Sequence, residues 1–132
     1  MSSPKWIVVA EDEEAVRDLW CDVLSGAGHR VLGARNGFEA LDLIRSVVPD
    51  LVLLDLRMPG LSGPEFMRYL GASPALRRIP VLIVSGYLAD EEEAGMGLNV
   101  VGRLPKPVPI RELQKTVRLV LEHPPAAGKP SA

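Results

Sequence analysis

The chain has 132 residues, 47% of them hydrophobic, which suits a single globular domain with a sizeable core. Its formal net charge of −2 and pI of about 5.7 leave no basic footprint for nucleic acid. No apolar run approaches the ~20 residues that span a bilayer, the opening Met1-Ser-Ser-Pro-Lys-Trp6 lacks a signal-peptide core, and Cys21 is the only cysteine, so a membrane span and a disulfide framework are both excluded and a reducing, cytoplasmic setting is expected.

Lys5-Trp-Ile-Val-Val-Ala10 is a short apolar run that predicts a first strand. It stops at Glu11-Asp12-Glu13-Glu14, acidic residues that also suit a helix N-terminus. Ala15, Val16, Leu19, Trp20, Val23 and Leu24 form a helical stripe, closed by Gly26 and Gly28. Arg30–Ala34 is a weaker strand, and Asn36 is an N-cap for a second helix with Phe38, Ala40, Leu41, Ile44 and Val47 as its stripe, stopped by Pro49. Leu51–Leu54 is a run so short and apolar that it predicts a strand buried on both faces. It delivers Asp55 to its carboxyl end, and the chain then turns at Pro59-Gly60.

Ser62-Gly63-Pro64 reads as a cap with proline in the first turn of a third helix, lined by Phe66, Met67, Tyr69 and Leu70. Residues 71–78 read as a polar loop, and Pro80–Val84 as a fourth strand ending in Ser85-Gly86-Tyr87. Between Leu88 and Leu98, Asp90-Glu-Glu-Glu93 favours a helix start, but Gly95 and Gly97 each cost roughly 1 kcal/mol in a helix interior. A short or frayed helix is expected there. Val100–Leu104 is a fifth strand, Pro105-Lys106-Pro107 a tight turn, and Ile110, Leu113, Val117, Val120 and Leu121 the stripe of a last helix. The remaining Pro- and Ala-rich residues 123–132 read as a mobile tail behind a domain of 1–122. Alternating strands and helices predict an α/β fold: five parallel strands, doubly wound, with right-handed crossovers.

In such a sheet the strands' carboxyl ends share one edge, where open α/β sheets place their ligand sites. That edge gathers Glu11, Asp12, Asp55, Ser85 and Lys106. Alone, Asp55 is as readily a turn cap, and Glu11-Asp12 ordinary helix-start charge. Together, three carboxylates repel unless a cation joins them. Oxygen ligands without histidine or cysteine favour a hard divalent ion over zinc. A carboxylate with Mg²⁺, a hydroxyl and a lysine suits phosphoryl transfer onto Asp55, the cations neutralising charge on the phosphoryl oxygens. His29 and His123 show no second ligand nearby and read as surface residues, and Glu91-Glu92-Glu93 as a solvated face.

Over residues of about 5–121 the sequence resembles the receiver domain of bacterial two-component response regulators. The resemblance rests on Glu11-Asp12, the Asp55-Leu-Arg-Met-Pro-Gly-Leu-Ser-Gly63 run, Ser85-Gly86 and Leu104-Pro-Lys106-Pro107, each following its own strand in order. It implies a flavodoxin-like fold and a phosphoacceptor role in a phosphorelay. Asp55 would be phosphorylated from the phosphohistidine of a histidine kinase or histidine phosphotransfer protein, and the signal passed to a downstream protein or by onward phosphotransfer. It also implies Mg²⁺ held by Asp12, Asp55 and the backbone carbonyl of Arg57, with Glu11 acting through water. Ser85 and Lys106 would contact the phosphoryl group, and the Lys106–Pro107 bond would be cis. The only chemistry expected is the domain's own phosphorylation and autodephosphorylation.

Two features depart from the family: Arg103, and the segment between Ser85 and Lys106 that Gly95 and Gly97 weaken as a helix. Arg103 stands where strand five usually carries an aromatic switch residue, and is expected to swing between solvent and an acid such as Glu91 or Glu92. Arg57 and Tyr87, both large, occupy the variable positions beside the phosphate and are expected to slow hydrolysis. The alternatives are a degenerate receiver that binds partners without phosphorylation, and a haloacid-dehalogenase-type phosphatase. The second needs an acid two positions after its nucleophile, where Arg57 stands.

Overall fold

The computed structural model describes residues 4–86 and 99–123. The expected weak helix at 88–98, Tyr87, the Glu91–Glu93 run and the tail from 124 lie outside the described residues. Five strands and four helices alternate: β1 Trp6–Ala10, α1 Glu14–Gly26, β2 Arg30–Ala34, α2 Gly37–Val47, β3 Leu51–Asp55, α3 Gly63–Ala72, β4 Val81–Ser85, β5 Val100–Pro105 and α4 Ile110–Glu122. The sheet is wholly parallel in the order β2-β1-β3-β4-β5. The chain reverses its direction of winding between β1 and β3, the crevice where doubly wound sheets bind ligands.

β1 from Ile7, all of β3 and all of β4 are buried, so their near-continuous apolar sequence answers helices on both faces. On one face Val8, Val52, Leu54 and Ile83 pack against Ala40, Leu41 and Ile44 of α2 and Phe66, Met67 and Leu70 of α3. On the other, Ile7, Val9, Leu53 and Val84 pack against Trp20 and Leu24 of α1 and Leu113 and Val117 of α4. Each fully buried Leu or Ile contributes roughly 1.5–3 kcal/mol by leaving water.

Local chemistry fixes the helix ends near the site. Asn36 Oδ1 accepts the Glu39 N–H at 2.9 Å to start α2. Ser62 and Glu65 form a reciprocal capping box at α3, Ser62 Oγ accepting from Glu65 N at 3.2 Å and Glu65 Oε1 accepting from Ser62 N at 3.1 Å. Before it, Gly60 takes a φ of 82°, open to glycine at little cost. Gly63 passes so close to β3's exit that a Cβ would lie 2.9 Å from Leu56 Cα.

Three large stripe residues are exposed. Leu19, Phe38 and Tyr69 are about half exposed, because each sits at the margin of its helix's apolar arc and not at its centre. Leu76 and Ile79, in the stretch after α3, are buried. α2 closes on Val48 at a φ of 43°, a left-handed conformation ahead of the buried Pro49. β5 also holds one more residue than its partner needs, since Val81 and Leu82 pair with Val100 and Gly102. Val101 is the extra residue of a bulge.

Candidate functional site: the carboxyl edge

β1 and β3 end side by side, and β4 and β5 end beside them, so four loops converge on one edge. Glu11 follows β1, its N–H donating to Ala34 O at 3.0 Å. Asp55 is the last residue of β3. The register of β4 and β5 sets Ser85 opposite Pro105, and Lys106 N–H donates to Ser85 O at 2.9 Å. The turn beyond has a cis peptide bond between Lys106 and Pro107.

The Lys106 ammonium reaches between two buried carboxylates. It donates to Asp55 Oδ2 at 2.9 Å and lies 2.8 Å from Glu11 Oε1. The second contact is an ion pair off the hydrogen-bonding direction, which leaves Glu11 Oε1 buried and without a hydrogen bond among the described residues. The other oxygens are held by backbone: Arg57 N–H donates to Asp55 Oδ1 at 3.0 Å, and Glu13 N–H to Glu11 Oε2 at 3.0 Å. Glu11, Asp12 and Asp55 bring carboxylate oxygens within 4.8 Å of one another. Glu11 and Asp55 are buried and Asp12 is exposed, so this acidic group is open to solvent on one side. Beside it a cleft of about 550 Å³ is lined by Asp12, Arg57, Met58 and Pro59, with Leu56, Ser62 and Pro64 behind.

Burial pushes the Glu11 carboxyl up to about 7, against the lowering effect of Lys106 and the Glu13 amide, with Asp55 adding to the rise. Burial also works against the Lys106 ammonium, but its contacts with Glu11 and Asp55 more than offset that and hold its pKa above the ordinary lysine value. The cluster is thus short of positive charge. One lysine serves two buried acids with a third at their rim, and Glu11 Oε1 has only its ion pair with that lysine. A small hard cation fits that donor set, since all the side-chain ligands are carboxylate oxygens.

The expected residues divide clearly. Glu11, Asp12, Asp55, Ser85 and Lys106 come to one place. The Arg57 side chain is exposed while its amide holds Asp55. Arg103 lies in register with Ile83 and is exposed. Its proposed acidic partners, Glu91 and Glu92, lie outside the described residues, as does Tyr87. His29 is half-buried and accepts from Lys5 N–H at 3.4 Å, with no metal-ligating neighbour among the described residues.

Two residues of the site were not singled out for it in the sequence. Arg17 donates from one terminal nitrogen to Glu11 O at 2.9 Å and Asp12 O at 3.4 Å, fixing the acidic pair's backbone. Trp20, buried in the core, places its ring 6.0 Å below the Lys106 ammonium, a cation–π distance. Their only sequence signal is position: one and two turns into α1, on the side that faces the sheet.

Fold and site together define a phosphoacceptor module of the open α/β type, and a family model for the response regulator receiver domain matches residues 7–118. The chain belongs to that family. Among similar proteins, the polar-differentiation response regulator DivK of Brucella anthropi is 34% identical over 120 residues, which cover 89% of this chain and 97% of that one. DivK of Brucella ovis is 33% identical over 119 residues, covering 89% and 96%. Two solved structures superpose with a TM-score of 0.81 at 25% identity. The chemotaxis regulator CheY4 of Vibrio cholerae covers 89% of this chain and 99% of its own, and the receiver domain of a Syntrophus aciditrophicus histidine kinase 97% and 96%. This chain is accordingly a phosphoacceptor receiver module of two-component signalling. No described helix is long and apolar enough to cross a membrane.

Proposed function

We propose that Asp55 is the residue phosphorylated, that the donor is a phosphohistidine on a histidine kinase or histidine phosphotransfer protein, and that the cation is Mg²⁺. The observation that carries this is the environment of Asp55: buried, backbone-held at Oδ1, and 2.9 Å from Lys106 at Oδ2, with Glu11 and Asp12 within 4.8 Å. A carboxylate oxygen of Asp55 bonds to phosphorus as the P–N bond to the donor imidazole breaks, and the departing imidazole takes up a proton. Asp12 and Asp55 would hold Mg²⁺ with the Arg57 backbone carbonyl, and Glu11 would act through water. Bound there, the ion supplies positive charge to the equatorial phosphoryl oxygens.

This chain's own residues do the rest. Lys106 gives up part of its contact with Asp55 to neutralise the arriving phosphoryl group, and the Ser85 hydroxyl donates to another of its oxygens. The Arg57 amide keeps the attacking carboxylate aimed out of the sheet edge, and the Arg17 guanidinium holds the Glu11-Asp12 backbone in place. No acid stands two positions beyond Asp55 to take a proton from an attacking alcohol or water. The residue there is Arg57, so the site accepts a phosphoryl group without turning over substrates.

Incubation with acetyl phosphate and Mg²⁺, followed by intact mass measurement, tests this. Wild type gains one phosphoryl group, while Asp55→Asn and wild type with excess chelator gain none. Equal gain in Asp55→Asn removes Asp55 from the role.

A further inference from the structure

Helices α1 and α4 cover the same face of the sheet and touch each other. In a parallel sheet with right-handed crossovers both run opposite to the strands, and so parallel to one another. Their outer surfaces carry clusters of opposite charge. On α1, Asp18 and Asp22 are four residues apart and exposed, one turn apart on a single stripe. On α4, Arg111, Lys115 and Arg118 are exposed at spacings of four and three, with Glu112 beside them and Glu122 closing the row. Asp18, Asp22, Arg111, Lys115 and Arg118 form no ion pair among the described residues. Between the helices, towards the sheet's amino edge, runs a groove of about 660 Å³ with Leu24, Val117 and Leu121 in its walls.

One acidic and one basic stripe, side by side and parallel, complement a copy of themselves. A two-fold axis lying along the helices sets the acidic pair of each copy against the basic cluster of the other, and covers both grooves. An axis across the helices would set like charge on like. We propose that the α1–α4 face is the interface of a homodimer, with Asp18 and Asp22 of each copy facing Arg111, Lys115 and Arg118 of the other. Such an isologous contact closes on itself and does not propagate. Exposed pairs are individually weak and screened by salt, so the dimer belongs to low ionic strength and forms without phosphorylation. It is independent of the chemistry at Asp55.

Sedimentation equilibrium on the full chain at low and high salt, with a pair of charge-reversed variants, tests the arrangement. Wild type is dimeric at low salt and dissociates as salt rises. Asp18→Lys/Asp22→Lys alone and Arg111→Glu/Lys115→Glu/Arg118→Glu alone are monomeric, with circular dichroism showing that both are folded. Mixed in equal amounts they recover the dimer mass, because one variant is basic on both helices and the other acidic on both. A wild type that stays monomeric at low salt overturns the proposal and leaves the face to a different protein. So do single variants that dimerise like wild type, or a mixture that stays monomeric.

Discussion

Two cations in this molecule each stand 2.9 Å from a carboxylate, Lys106 inside the carboxyl edge and Arg35 on its outer corner. Lys106 serves Glu11 and Asp55, whose side chains are 0% and 4% exposed. Arg35 reaches Glu39 one turn along the chain, with its own side chain 71% exposed. Their distances are alike, but in the buried cluster desolvation is the largest influence on both Glu11 and Lys106. In the exposed pair, contact with the partner simply holds Glu39 below and Arg35 above their ordinary values. Contact length therefore says little about what a pair does. What matters is what remains if one partner is removed: water replaces Arg35 at once, whereas the loss of Lys106 must be met by a bound cation or by a proton on one of the acids.

The largest expected effect comes from breaking the buried side of this comparison. Lys106→Met leaves two buried acids without a counter-charge and should destabilise the cation-free protein by about 3–5 kcal/mol at neutral pH, read from urea unfolding. The loss should shrink at pH 5, where Glu11 is protonated in the fold. A loss below the scatter of the measurement at pH 7 would show that the cluster does not depend on its lysine.

Next in size is the pH dependence that Glu11 imposes. Its pKa is about 7 in the fold against an ordinary 4.5, so between those values the folded state binds more protons than the unfolded. Stability without divalent cations is then fully favoured below about pH 4.5 and falls as pH rises through 7, by up to roughly 3 kcal/mol. Glu11→Gln should flatten that slope. Excess Mg²⁺ should counter it, because the cation favours the ionised acid, and Mg²⁺ affinity by calorimetry should rise through the same window. A slope unchanged by Glu11→Gln would assign the proton to another group.

The smallest effect sharpens the comparison from its other side. Arg35→Gln removes the exposed guanidinium while keeping the backbone bond from Arg35 N–H to Glu39 Oε1 at 2.8 Å. The urea midpoint should stay where it is in wild type. A shift comparable to that of Lys106→Met would mean that burial is not what separates the two pairs.

Much of this was legible before any coordinates. Ile7–Ala10, Leu51–Leu54 and Val81–Val84 are apolar without alternation, a pattern that fits strands covered on both faces. Their order with the helices then put Glu11, Asp12, Asp55, Ser85 and Lys106 on one edge. What the pattern left out has physical reasons. Helical spacing marks an arc and not its depth, so Leu19, Phe38 and Tyr69 counted as stripe residues although they sit at its margin. The β5 bulge depends on which strand β5 pairs with, and a single strand's residues carry no trace of that register. Arg17 and Trp20 join the site through α1's packing on the sheet, which spacing along the chain does not record. The left-handed Val48 had no signal, because a β-branched residue is a poor choice there.

The central claim, that Asp55 carries the phosphoryl group, has a direct chemical test. Reduction of the acetyl-phosphate-treated protein with borohydride converts an aspartyl phosphate to homoserine, which peptide mapping then locates. The account predicts homoserine at position 55 and at no other aspartate, dependent on Mg²⁺. Homoserine at Asp12, or a phosphate on Ser85 that survives reduction while position 55 remains aspartate, would contradict it.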